Sequence, residues 1–261
     1  MNIVVCLKQV PGTTEVKIDP KTNTLIRQGI ENIINPFDTY ALEEAVRLKD
    51  KHGGKVTVVT MGPPQADAAL REAISLGADE AVLLSDRAFA GADTWATAYT
   101  LSRAVIKIGQ YDLIICGRQT IDGDTGQVGP EMAEMLNVPF VAYVSRIEEL
   151  ADGRMRLSRM IEEGHEVIEA TLPAVITVAK EINVPRLPSL RGITRSKSAA
   201  IATWGLQELG AGKDMVGLAG SSTQVIKVFF PRRVCQAEIL TGDTAARVEK
   251  LVEKLRDASL L

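Results

Sequence analysis

Leu113-Ile114-Ile115-Cys116-Gly117-Arg118-Gln119-Thr120-Ile121-Asp122-Gly123-Asp124-Thr125-Gly126-Gln127-Val128-Gly129-Pro130-Glu131 is the stretch from which the fold can be read. It opens as an aliphatic run without polar alternation, the mark of a strand buried on both faces. It then passes glycines at 117, 123, 126 and 129 and enters a helical pattern reaching about Leu136. Pro130 fits that helix only in its first turn, where no amide is needed. In open α/β sheets, ligands bind beyond the carboxyl ends of strands, beside helix N-termini. Glycines let the backbone approach such a ligand, and the amides of Gly126, Gln127 and Val128 would face an anion, a pyrophosphate being the natural one. Asp122 and Asp124 suit sugar hydroxyls or helix capping better than a phosphate. Thr120, Thr125 and Gln127 can donate to a nucleotide. The loop is neither a Walker A loop nor a GxGxxG fingerprint.

The same strand texture recurs at Ile3–Leu7, Val56–Met61 and Ala81–Leu84. Helical patterns lie between these runs. One follows Asn35-Pro36 and closes at Gly53-Gly54, one runs from about Gln65 to Leu76, and one from about Thr94 to Ile108. This alternation predicts an α/β fold with a doubly wound, mostly parallel sheet covered on both faces. A small hairpin is expected early, from Val16–Asp19 and Thr24–Ile26. After residue 140 the runs Phe140–Glu148 and Arg154–Met160 alternate apolar and polar residues around Asp152-Gly153, and two further strands follow, so antiparallel strands are added to the sheet. Residues 183 to 198 read as a surface loop, and Val225–Phe230 as a last strand-like piece. The chain ends in an amphipathic helix with Val248, Leu251, Val252 and Leu255 on one stripe, capped by Asp243 or Thr244. The expected division is a nucleotide-binding domain over 1–224 and a C-terminal extension over 225–261.

The 261 residues are 46% hydrophobic and 24% charged, which excludes disorder as the main state. The net charge of −3 provides no global attraction for nucleic acid. The three cysteines (Cys6, Cys116, Cys235) are far apart and there are two histidines, so zinc, iron–sulfur and c-type haem sites lack ligands. No stretch has the roughly 18 apolar residues of a bilayer span. The opening Asn2–Leu7 is too short for a signal core, and a cytoplasmic location without membrane insertion is expected.

Two further segments stand out. Asn35-Pro36-Phe37-Asp38 reads as a capped helix start, with Pro36 at the first position and Asp38 at the positive end of the dipole; that terminus could also face the ligand of the 117–131 loop. Asn183-Val184-Pro185-Arg186-Leu187-Pro188-Ser189-Leu190-Arg191-Gly192-Ile193 reads either as a proline-stiffened connection or as an apolar anchor for a partner. His165 falls in an expected hairpin turn. No nucleophile–base–acid set is evident, as expected where a cofactor does the chemistry.

These motifs resemble the β (small) subunit of electron transfer flavoproteins over nearly the whole length. The resemblance rests on Val4–Val10, on Asn35-Pro36-Phe37 before Ala41–Ala45, and on Met61-Gly62-Pro63. It also includes the Gly117–Glu131 loop and the signature from Arg159 to Thr177. It implies a Rossmann-like fold of the adenine-nucleotide α-hydrolase type. It further implies a nucleotide site formed by Cys6, Asn35, Pro36, Phe37, Asp38, Met61, Asp122, Gly123, Asp124, Thr125, Gly126, Gln127, Val128, Gly129, Pro130, Glu131, Met132 and Ala133. The site holds AMP in housekeeping members and FAD in flavin-bifurcating ones, which the Gly123–Pro130 version resembles more. The implied partners are an α subunit carrying its own FAD, an acyl-CoA dehydrogenase met through Leu187, Leu190, Arg191 and Ile193, and ferredoxin. NADH is the implied electron donor, and the chain is not expected to be catalytic alone. A second reading of the same residues is a stand-alone ATP-binding α/β module.

Overall fold

The computed structural model spans Met1–Leu261 and describes every residue outside 13–16, 19–24, 27–31 and 227–236. Residues Met1–Ile226 form one compact unit and Lys227–Leu261 a second.

The first unit opens with β1 (Asn2–Cys6), followed by β2 (Gln9–Pro11), β3 (Lys17–Ile18), β4 (Leu25–Ile26) and β5 (Asn32–Ile34). β3 and β4 pair antiparallel, as the expected early hairpin requires, though its turn at Pro20–Asn23 lies outside the described residues. β2 and β5 form a second antiparallel pair at the base of this excursion. Then come α1 (Pro36–His52), β6 (Lys55–Met61), α2 (Asp67–Leu76), β7 (Glu80–Leu84), α3 (Thr94–Ile108), β8 (Leu113–Gly117) and α4 (Val128–Leu136). Next are β9 (Phe140–Ala151), β10 (Arg154–Ile161), β11 (Gly164–Thr171), β12 (Ala174–Val178), α5 (Leu190–Ser198), β13 (Ala202–Trp204) and α6 (Leu206–Leu209).

The main sheet runs β11-β10-β9-β12-β8-β1-β6-β7-β13. Every pairing from β9 through β12 to β13 is parallel, and β9-β10-β11 are antiparallel. Asp152 and Gly153 both take positive φ, 50° and 71°, as the two-residue turn between β9 and β10 demands. Strand side chains alternate faces. Ile3 and Val5, with Leu113 and Ile115, pack against Leu42, Leu70 and Ile74 of α1 and α2. Val4 and Cys6, with Ile114 and Cys116, pack against Ala98, Leu101 and Met132 of α3 and α4. Both faces are covered, which is why the runs Ile3–Cys6 and Leu113–Cys116 carry no charged or amide side chain. The doubly wound α/β fold with added antiparallel strands is therefore the observed one.

Two expectations fail. Residues 183–198 are not a loop throughout: from Leu190 the chain is helical, and Ser189 caps it by accepting the Gly192 amide at 3.0 Å. The prolines at 185 and 188 end just before that cap, so they stiffen the approach and leave the helix intact. Val225 and Ile226 are not in a strand, and residues 227–230 of the expected last strand lie outside the described residues. In the second unit, α7 (Thr244–Asp257) is the expected amphipathic helix, with Asp243 as its cap. Val248 and Leu251 of its stripe are exposed, and Val252 and Leu255 are half-buried.

Candidate functional site

β1 lies between β6 and β8. The chain leaves β1 for the face that carries α1 and leaves β8 for the face that carries α4. The two connections part in opposite directions, opening a crevice at the carboxyl ends of β1 and β8, the switch point where such sheets bind ligands. Asn35 N–H donates to Lys8 O at 2.8 Å and draws the Asn35–Asp38 corner onto the end of β1. A Cβ built on Gly117 would lie 2.7 Å from the Phe37 carbonyl carbon, so glycine is required there by the protein's own backbone.

Asn35 is fully buried but does not cap α1. Its Nδ2 donates to Gln119 O at 2.9 Å, and its Oδ1 accepts from Ile121 N–H at 3.1 Å. The expected side-chain cap is thus absent, because both ends of the amide are engaged in clamping the loop after β8. Lys8 anchors the same loop: its Nζ reaches the two Asp122 oxygens at 2.8 and 2.7 Å. Burial pushes the Asp122 carboxyl up, but the hydrogen bonds and charge of Lys8 outweigh it and hold the group below its usual range. Asp124, at φ 57°, donates its amide to Thr120 O at 2.8 Å and accepts from Gln119 Nε2. Neither aspartate caps α4, so of the two uses considered for them capping is not the one observed; α4 has no side-chain cap, and Pro130 does lie in its first turn. From Ile121 to Thr125 the loop is exposed, whereas Gly129 is buried, where a Cβ would meet Thr177 Cγ2 at 2.7 Å. Gly117 and Gly129 therefore serve internal packing, contrary to the expectation that all four glycines serve a ligand. Gly126, at φ 64°, is the one whose turn needs glycine, and it leads directly to α4.

Asp38 is buried, accepts the Lys8 amide at 2.7 Å, and has its carboxyl pushed up to about 7 by burial, against the pull of the Lys8, Asn35 and Gly117 hydrogen bonds. Glu131, inside α4, is raised by burial and by the charge of Asp93; Thr94 hydroxyl donates to its Oε1 at 3.0 Å, while Oε2 is buried without a partner. Gln127 lies within 3.3 Å of the same hydroxyl. Beneath the crevice Cys6 and Cys116 are register partners, and Cys6 Sγ approaches Met132 Sδ at 3.9 Å. Ala133 is buried beside them and Met61 closes the end of β6. Arg118 stacks its guanidinium 4.7 Å from the Phe37 ring centroid. It also lines an open groove of about 440 Å³ with Tyr143, Arg159 and Glu162. Apart from Arg118 the groove is lined by β9, β10 and the turn after β10, and none of the predicted nucleotide-site residues lines it.

Lys8 and Arg118 were not singled out from sequence. A cation one residue past the first buried strand was the available signal for Lys8; Arg118 sits in the loop but gives no local cue.

The electron transfer flavoprotein domain, as a family model, matches residues 22–209. The electron transfer flavoprotein subunit beta of Thermoanaerobacterium thermosaccharolyticum is 51% identical over 264 residues, covering all of both chains. The chain belongs to the electron transfer flavoprotein family. Subunit CarD of the caffeyl-CoA reductase-Etf complex of Acetobacterium woodii is 48% identical, again over all of both chains. Protein FixA of Azotobacter vinelandii is 48% identical over 92% of this chain and 88% of its own. As a β subunit of this family, the chain has an electron-transport role beside an α subunit. The segment expected to meet a further partner stands well apart from the crevice in sequence. There Leu187 and Leu190 are 89% and 85% exposed and Ile193 is 37% exposed, with Arg191 in the first turn of α5. Among the described residues no helix is long and apolar enough to cross a membrane.

Proposed function

We propose that the crevice between β1 and β8 takes FAD and that the subunit is of the bifurcating type. On this reading electrons enter from NADH and leave in two directions: through the α-subunit FAD to an acyl-CoA dehydrogenase, and to ferredoxin. The observation that carries it is the exposed turn through Asp124 and Gly126, which delivers the chain into a helix N-terminus that no side chain caps, at the switch point of the sheet. The donor set suits a dinucleotide. The first amides of α4 suit a pyrophosphate, and the charge of Asp122, which would repel one, is already held by Lys8. Thr125 and the second carboxylate oxygen of Asp124 remain to meet hydroxyls, the first oxygen of Asp124 accepting from Gln119 and Thr120 bonding Asp122. Asn35–Asp38, Cys6 and Met61 wall the crevice, with Glu131, Met132 and Ala133 behind it. Bound there, the flavin supplies electron exchange with a nicotinamide and with other carriers. The chain's own task is to hold and orient it, which calls for no acid–base pair.

The acceptor side is supported by CarD, whose name places it in a caffeyl-CoA reductase complex. Leu187, Leu190, Arg191 and Ile193 meet the dehydrogenase, and the arm from residue 225 onward packs on the α subunit through the apolar stripe of α7. Counting flavins per purified heterodimer tests the proposal. Two flavins are expected. One flavin together with one AMP released on denaturation overturns the FAD assignment and makes the β site a structural AMP site.

A further inference from the structure

After β12 the chain makes one 3-10 turn over Lys180–Ile182 and then crosses the surface to Ser189 without regular structure. It is nevertheless tied down. Asn183 Nδ2 donates to Tyr40 O and Glu44 Oε2 of α1, both at 3.0 Å. Arg186 donates its amide and Nε to Glu43 Oε2 at 3.1 and 2.8 Å, Nη2 to Glu43 Oε1 at 3.2 Å, and Nη1 to Asp50 Oδ2 at 3.1 Å. The Glu43 side chain is only 7% exposed. A carboxylate taken so far from water is tolerated when it is paired and its oxygens are hydrogen-bonded, and a guanidinium fork plus an amide meets both needs. At the other end, Arg71 Nη1 donates to Ser196 O at 2.7 Å and Arg195 Nη2 to Ile74 O at 3.0 Å, holding α5 on α2. Between these ties Val184, Leu187 and Leu190 remain 88%, 89% and 85% exposed. Apolar side chains displayed on a segment whose intervening polar residues are anchored form a surface prepared for contact before a partner arrives.

We propose that Glu43 is a positioning residue for docking: its fork with Arg186 presets the 184–190 segment so that its apolar side chains enter a partner's pocket without ordering the chain on contact. This rests on the docking reading of Leu187 and Leu190. Ordering a free segment at the moment of binding weakens affinity, so cutting the strap costs binding without touching the apolar side chains themselves. Glu43 lies about two turns along the helix whose first residues wall the crevice, so α1 anchors both regions.

The test uses the heterodimer with its α subunit and a purified short-chain acyl-CoA dehydrogenase as probe. Wild type, Glu43→Gln, Arg186→Lys and Leu190→Ala are compared for dissociation constant, for exchange of the residue-186 amide that Glu43 accepts, and for bound nucleotide. Glu43→Gln and Arg186→Lys are expected to weaken binding about tenfold and to speed exchange of that amide about tenfold, with nucleotide unchanged. Leu190→Ala is expected to weaken binding while exchange stays slow, a split that general loss of structure would not produce. Arg186→Lys keeps the charge but loses the fork, and carries the test alone if Glu43→Gln does not fold. Wild-type affinity or slow exchange in the folded strap variants, with Leu190→Ala impaired, overturns the strap and leaves the docking reading intact. Wild-type affinity in Leu190→Ala overturns the docking reading and the strap with it.

Discussion

Asp38 and Gly126 show how much a single position in the crevice controls. The folded Asp38 carboxyl, at about 7 against an ordinary 3.8, binds its proton more tightly than the unfolded chain does. Its contribution to stability is therefore fully present below about pH 4 and is lost as the pH rises through about 7. The shift from 3.8 to about 7 sets an outer limit of about 4 kcal/mol on that loss. Asp38→Asn keeps an acceptor for the Lys8 amide and removes the titration, so denaturant melts across pH 4–8 should lose the downward slope; an unchanged slope refutes the assignment. Gly126→Val places a β-branched residue at φ 64°, with its Cβ 3.2 Å from Arg118 O. The left-handed backbone costs such a residue about 1–2 kcal/mol or more, and the turn into α4 should deform. The expected result is a purified complex with the β-site nucleotide largely missing, read by chromatography after denaturation; full occupancy would count against the loop as the site.

At the scale of elements, the loop after β8 takes its shape from an element far away in the chain. Asn35, itself fully buried, connects the start of α1 to Gln119 and Ile121 through two half-buried hydrogen bonds. Asn35→Ala leaves a carbonyl and an amide without partners and should cost about 2–3 kcal/mol, seen as a lower melting temperature together with faster nucleotide release. A melting point within a degree of wild type would mean that the clamp is dispensable. Local sequence favoured a capping role for Asn35, since Asn followed by Pro is the usual start of a helix. A partner eighty-odd positions away leaves no trace in local spacing. The same blindness hid α5. Prolines and cations over 183–198 look like loop, and what makes the second half helical is the Ser189 cap together with the contacts of Arg71 and Arg195 against α2.

On the scale of the whole molecule, α1 carries the Asn35–Asp38 corner at its start and holds Asn183 and Arg186 through Glu44 and Glu43, so the proposed function draws on both regions through one helix. Leu190→Ala should slow electron delivery to an acyl-CoA dehydrogenase several-fold in steady-state assays while flavin content stays that of wild type. Loss of flavin in that variant would show that the segment supports the cofactor site instead.

The periodicity of the chain determined the layer plan. Runs such as Ile3–Leu7 and Leu113–Cys116 have no polar side, so they must be covered on both faces, and helices of matching spacing lie between them. The same logic marked the glycine-rich bend as the place where a ligand would sit, because turn chemistry and strand ends are local properties. Tertiary structure alone decided which side chains complete the crevice. Lys8 meeting Asp122, Asn35 gripping Gln119, and Asp38 losing its water are all consequences of β1 and β8 becoming neighbours. Pairing across such separations depends on packing of the entire sheet, and burial, which sets both the hydrogen bonds and the proton affinity, exists only once that packing is complete.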